Sequence, residues 1–126
     1  HIAGRASSDR VQFHKADALQ HELPTGFDLV TFKSILHDWP DEAVDTYISK
    51  AYDCLSPNGE VVIFERISSD GQTPVPVFGN LPVFIFMRFY RQADLYYHLL
   101  EKHGFSDIKT ISINLEMPFV LISAKK

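Results

Sequence analysis

His37, Asp38 and Trp39 stand in consecutive positions ahead of Pro40, and a further acid, Glu65, lies downstream. An imidazole beside carboxylates is the raw material of a proton-transfer site. A carboxylate on one ring nitrogen sets the tautomer and leaves the other nitrogen free to act as a base. Their positions along the chain sharpen that reading. His37 and Asp38 follow the strand-like run Phe-Asp-Leu-Val-Thr-Phe-Lys-Ser at 27–34, and Glu65 closes Val61-Val62-Ile63-Phe64. Asp17 follows a shorter run at 11–15, in which Val11 and Phe13 alternate with polar residues. Open α/β sheets bind ligands outside the carboxyl ends of their strands. One acid after a strand is ordinary turn chemistry, but ionisable groups at the ends of three successive strands indicate a site on one rim.

The elements that must carry these groups follow from periodicity. Residues 11–15 read as a first strand, Leu23-Pro24-Thr25-Gly26 as a loop and 27–34 as a second strand. Leu29, Val30 and Phe32 suggest burial on both faces of that second strand, as in a parallel sheet. Val44, Tyr47, Ile48, Ala51, Tyr52 and Leu55 recur at helical spacing, which predicts a helix over 41–55 with Pro40 at its entrance. Ser56-Pro57-Asn58-Gly59 stops it, and 61–64 forms a third, buried strand. Residues 68–80, rich in Pro, Gly and Ser, form an excursion loop, and the apolar run 81–90 reads as helical. A second amphipathic helix spans 92–103 through Tyr96, Leu99, Leu100 and His103, and Gly104 closes it. Two strands, 105–114 and 118–124, make an antiparallel finish. The whole is an α/β domain with a mainly parallel sheet and an antiparallel C-terminal strand pair.

Composition narrows the function classes. At 126 residues, 45% hydrophobic and 13% aromatic, the chain is one domain with enough apolar material for a core. A formal charge of −4 and a pI near 5.8 argue against a nucleic-acid or anionic-membrane surface. No apolar run approaches the ~18 residues of a membrane span. The lone Cys54 excludes an internal disulfide and a cysteine-rich zinc site, and it fits a reducing compartment, so a cytoplasmic protein is expected. His14, His21, His98 and His103 lack the spacing of a metal set, so no metal is expected and these side chains read as surface or helix-end residues.

Phe32-Lys33-Ser34-Ile35-Leu36-His37-Asp38-Trp39-Pro40-Asp41-Glu42, preceded by Lys15-Ala16-Asp17 and followed by 55–65, resembles the S-adenosylmethionine-dependent O-methyltransferases acting on phenols and related natural products. The resemblance covers nearly the whole chain. It implies a Rossmann-like methyltransferase fold, S-adenosylmethionine as cofactor and a small hydroxylated acceptor. It assigns His37 as general base, Glu65 as the acid that orients it and Asp38 to the same catalytic set. Asp17 and Ala18 would meet the adenine, Lys33 the methionyl end through its backbone, and Trp39 would cover the cofactor. Tyr90 and Met87 fall in the region that touches substrate, and Arg91 and Gly104-Phe105 sit at family-like spacings. The base is chemically needed: a phenol near pKa 10 is a poor nucleophile at neutral pH, while an ordinary imidazole near 6.5 can take its proton.

Two departures from the family pattern matter. Tyr90 stands where the family commonly has a second glutamate flanking the His, which points to an altered substrate preference. The glycine-rich first strand and the next strand are also absent, and the six glycines never cluster. The chain is therefore expected to be the C-terminal part of a catalytic domain. The first two strands and the N-terminal helical domain, through which the parent would form a homodimer, lie outside it. Plainer readings stand beside these. His37 could be a satisfied histidine at a strand–helix junction, Asp38 could only cap the helix at Pro40, and Glu65 could be solvated. Phe84, Phe86, Phe89, Tyr90, Tyr96 and Tyr97 could be core or interface rather than a substrate cage. Two rival functions are a cofactor fold with non-methylating chemistry and a non-catalytic interaction module with exposed sheet edges.

Overall fold

The computed structural model describes residues 11–68, 90–115 and 118–126. Strand β1 (Phe27–Lys33) leads through a single 3-10 turn, Leu36–Asp38, into helix α1 (Asp41–Cys54). Strand β2 (Leu55–Arg66), helix α2 (Ala93–Lys102) and strands β3 (Ser106–Asn114) and β4 (Pro118–Lys125) follow. The strands form one sheet in the order β1-β2-β4-β3. β1 and β2 pair in parallel, while β4 pairs antiparallel with both β2 and β3.

Both amphipathic helices and the antiparallel finish stand where periodicity places them. Three expectations change. Residues 11–15 form no strand: Val11 is 40% and Phe13 82% exposed, because a strand exists only beside a ladder partner and none of the described residues supplies one. The described sheet is therefore mixed rather than mainly parallel. For the same reason β1 lies at the edge of the described sheet and is not buried on both faces. Phe27 is 46% and Leu29 53% exposed, and Val30 and Phe32 alone of its apolar residues pack against the core. The helix expected over 81–90 and nearly all of the 68–80 loop lie outside the described residues.

β2 supplies the framework of the core. Its side chains alternate, so Val61, Ile63 and Glu65 point to one face. Val120, Ile122 and Ala124 of β4 share that face, and Val44, Ile48 and Ala51 of α1 with Tyr96 and Leu100 of α2 cover it. Each Val, Ile or Leu side chain among them, fully buried, contributes about 1.5–3 kcal/mol. Glu65 is the exception in this row: a carboxylate at an interior position, with none of its surface exposed.

The segment expected to stop α1 is absorbed into β2. Register jumps from Phe27↔Leu55 to Leu29↔Glu60, so residues 56–59 bulge out of the ladder. Asn58 takes a left-handed φ of 65°. A Cβ on Gly59 would fall 2.9 Å from both the Leu55 side chain and the Ser56 carbonyl oxygen, which is why glycine stands there. At the other end of α1, the Pro40 carbonyl accepts the Ala43 and Val44 N–H groups, and Asp41 and Glu42 complement the helix dipole.

Asp45 ties α1 to the end of α2, accepting from Lys102 Nζ at 2.7 Å and pairing with His103 Nε2 at 2.7 Å. The Lys102 hydrogen bond, then that of His103, holds its carboxyl below the usual carboxylate range. A group whose pKa is lower in the folded state stabilises above its unfolded pKa and loses that contribution as pH falls through the folded one. Asp45→Asn should therefore lower the thermal midpoint at neutral pH, and its deficit should vanish in acid below the carboxylate range. Melting both proteins at the two pH values checks this, and an equal deficit at both would refute it.

Candidate active site

The site is built on the exit of β1. Pairing with β2 continues to Ser34, whose N–H donates to the Phe64 carbonyl at 2.9 Å. Ser34 then turns the chain with a left-handed φ of 49°. The next residues curl over the end of β2, where Glu65 points up from the core. One oxygen of Glu65 accepts the backbone N–H of both Ile35 and Leu36, each at 2.7 Å. The other lies 2.8 Å from His37 Nδ1. With Glu65 as the acceptor Nδ1 is the donor, an arrangement that in the neutral imidazole puts the ring's lone pair on Nε2.

The His37 side chain is 11% exposed, and Glu65 not at all. Asp38 does not cap α1, which has no side-chain cap; its Oδ1 lies instead 3.4 Å from His37 Nε2. An imidazolium formed by proton uptake at Nε2 would thus have a carboxylate on either side. The Tyr90 ring meets His37 edge-on at 5.3 Å between centroids. A ring with Nδ1 committed to Glu65 and a lone pair on Nε2 can remove a proton from a neutral hydroxyl, with Asp38 beside that nitrogen.

A cavity of about 340 Å³ opens beside this turn, lined by Ala18, Phe32, Ile35, Trp39 and Tyr47 among others. Its walls are overwhelmingly apolar. Trp39 and Tyr47 meet edge-to-face, 5.5 Å apart. Asp17 is near enough that its charge, after burial, raises the Tyr47 hydroxyl. One Asp17 oxygen accepts the Leu19 N–H at 2.9 Å, closing a local turn. An apolar cavity with a carboxylate on the residue next to its lining has the chemistry to take a heteroaromatic base with an exocyclic amine. Ala18 and Trp39 therefore come together with Asp17 close by. Lys33 is exposed and does not line this cavity, and neither does His37, although Ile35 and Trp39 on either side of it do. Met87 lies outside the described residues.

Sequence patterns left the contacts of two further residues unread. Arg91, expected on spacing alone, donates from Nε to Asp41 at 2.6 Å and from Nη1 to the Leu36 carbonyl at 3.1 Å, and its Nη2 donates to the Trp39 carbonyl. No local pattern announces these contacts, because they close across fifty or more residues. Tyr96, which reads as a core position, buries a hydroxyl that meets no partner at full hydrogen-bond geometry among the described residues, with the Arg91 guanidinium near enough to oppose the rise in its pKa. Burial, then the charge of Glu65, pushes that hydroxyl up to about 12. It remains a neutral phenol at physiological pH and is no rival base. Burial likewise pushes up the Cys54 thiol, which disfavours a thiolate nucleophile. Among the described residues no group of His, Cys, Asp and Glu could hold a metal, and no helix is long and apolar enough to cross a membrane.

The sequence profile of the O-methyltransferase domain matches residues 1–106. The chain is 39% identical over 75 residues to an L-tyrosine C(3)-methyltransferase of Streptomyces lavendulae, covering 59% of this chain and 20% of that protein. It is 30% identical over 114 residues to a 3-hydroxy-5-methyl-1-naphthoate 3-O-methyltransferase of Streptomyces sahachiroi, covering 87% of this chain and 33% of that protein. Among solved structures, the S-adenosylmethionine-dependent methyltransferase SibL superposes with a TM-score of 0.80 at 25% identity, over 99% of this chain and 38% of that one. The chain thus spans between a fifth and a third of the length of these curated relatives.

Proposed function

The chain belongs to the O-methyltransferase family, and from that membership we propose that it is the C-terminal part of the catalytic domain of an S-adenosylmethionine-dependent enzyme that methylates a hydroxyl of a small, aromatic natural product. The observation that carries this reading is the 2.8 Å contact between His37 Nδ1 and the fully buried Glu65. It leaves Nε2 as the acceptor of the hydroxyl proton. Asp38 at 3.4 Å stabilises the charge that the ring then gains. Asp17, Ala18 and Trp39 hold the cofactor at the apolar cavity, and Lys33 contributes its backbone at the neighbouring strand end. When bound, S-adenosylmethionine supplies an electrophilic methyl group on a sulfonium. The protein's part is to hold the acceptor oxygen in line and remove its proton. Tyr90, edge-on to His37, contacts the acceptor.

A second reading has a specific observation behind it, since one relative is an L-tyrosine C(3)-methyltransferase, and we read that carbon as the ring position beside the hydroxyl. The same base serves that chemistry: a phenolate is also nucleophilic at the carbon beside its oxygen. There a C–CH3 bond forms as the S–CH3 bond breaks, and the ring proton is then lost. The full-length protein, incubated with methyl-labelled S-adenosylmethionine and a panel of phenols and naphthols, distinguishes the readings by NMR of the product. An O–CH3 product is expected. A ring-carbon methyl would establish the second reading, and cofactor binding without transfer to any acceptor would overturn both. The same proposal makes the whole protein a cytoplasmic homodimer, joined through a region outside this chain. The family resemblance and the lone, buried Cys54 support it.

A further inference from the structure

The turn that carries His37 cannot hold its own shape. It comprises only Leu36–Asp38, and its internal bonds, Asp38 N–H to Ile35 O and Trp39 N–H to Leu36 O, are long at 3.2 and 3.3 Å. Short 3-10 turns have poor hydrogen-bond geometry, so the ring's orientation depends on groups outside the turn. Glu65 takes the N–H side, through Ile35 and Leu36. The carbonyl side falls to Arg91, which donates to both Leu36 O and Trp39 O, the carbonyls on either side of His37.

Arg91 is itself well anchored. Its backbone forms a parallel bridge with Ile67 just beyond β2, and its carbonyl accepts the Ser68 N–H at 3.0 Å. Nε is fixed by Asp41 at 2.6 Å, and the side chain is only 14% exposed. The planar guanidinium therefore uses its three nitrogens on three acceptors at once, which a lysine ammonium on a flexible stem cannot reproduce. We propose that Arg91 is a positioning residue for the reaction. With Glu65 it clamps the two ends of the turn and so holds His37 in the ring orientation and Nδ1–H tautomer that a base requires. The proposal rests on reading His37 as that base.

The test uses the full-length protein. Arg91→Met is expected to lower kcat on the order of 10²-fold, the scale of a small misplacement at a reacting centre, with KM for the cofactor and acceptor nearly unchanged. Arg91→Lys should recover part of the loss. Because Arg91 acts through His37, the His37→Ala/Arg91→Met double variant should be no slower than His37→Ala alone. An independent readout is the imidazole 15N spectrum of His37: a protonated Nδ1 in the wild type, shifting toward a tautomer mixture in Arg91→Met. An unchanged 15N signature, or losses that multiply in the double variant, would overturn the clamp. If His37→Ala kept the wild-type rate, the base assignment would fall, and the 15N spectrum would still decide for or against the clamp. Should Arg91→Met fail to fold, Arg91→Lys and Asp41→Asn, checked by circular dichroism, carry the same two readouts.

Discussion

Glu65→Gln in the full-length protein is expected to reduce kcat by on the order of 10⁴, the scale seen when a catalytic triad's carboxylate is replaced by its amide. The reason is a conflict of donors. Glu65 accepts three N–H groups, two on one oxygen and one on the other. A glutamine in that place has one oxygen and one NH2. If the NH2 faces His37, Nδ1 must become the acceptor, the proton moves to Nε2 and the ring is no longer a base there. If the amide flips, the NH2 faces the Ile35 and Leu36 N–H groups and the turn loses its anchor. Neither orientation preserves the site. A buried donor left unpaired should also cost about 1–3 kcal/mol of stability. Steady-state kinetics with a thermal melt checks both effects, and a rate within twofold of wild type would refute the tautomer assigned to His37.

His37→Ala should lower kcat by roughly 10² to 10⁴, the usual yield of a positioned general base. Affinity for the cofactor should hardly change, since His37 does not line the apolar cavity. The size of the loss should depend on the acceptor. A more acidic phenol already surrenders its proton to solvent near neutral pH, so the deficit should shrink as acceptor pKa falls. Rates measured across a series of substituted phenols test this directly. A deficit independent of acceptor acidity would mean that His37 positions the acceptor rather than deprotonating it.

The pattern of residues revealed much of this and concealed some of it, for identifiable reasons. The two helices were legible because Val44, Ile48 and Ala51, and Tyr96 with Leu100, repeat at the helical period and are buried for that reason. His37 and Glu65 stood out because each follows a strand-like run, and parallel pairing of β1 with β2 brings such ends together. Residues 11–15 misled because alternation marks a segment able to pair, while pairing needs a neighbour. β1 misled likewise: its apolar content suggested two buried faces, yet burial depends on what lies beside it, and Leu29 is exposed.

Local order thus marked both described helices, the runs able to pair as strands, and the side chains with the chemistry for proton transfer, since propensity, periodicity and side-chain type are properties of short stretches. Only the packed chain could decide which oxygen of Glu65 meets which N–H, that Asp38 turns toward His37 instead of capping α1, and that Arg91 grips the turn from a distant point in the sequence. Such contacts join residues tens of positions apart, to within fractions of an ångström. Hydrogen bonding is directional at that scale, and no pattern along a line of residues encodes it.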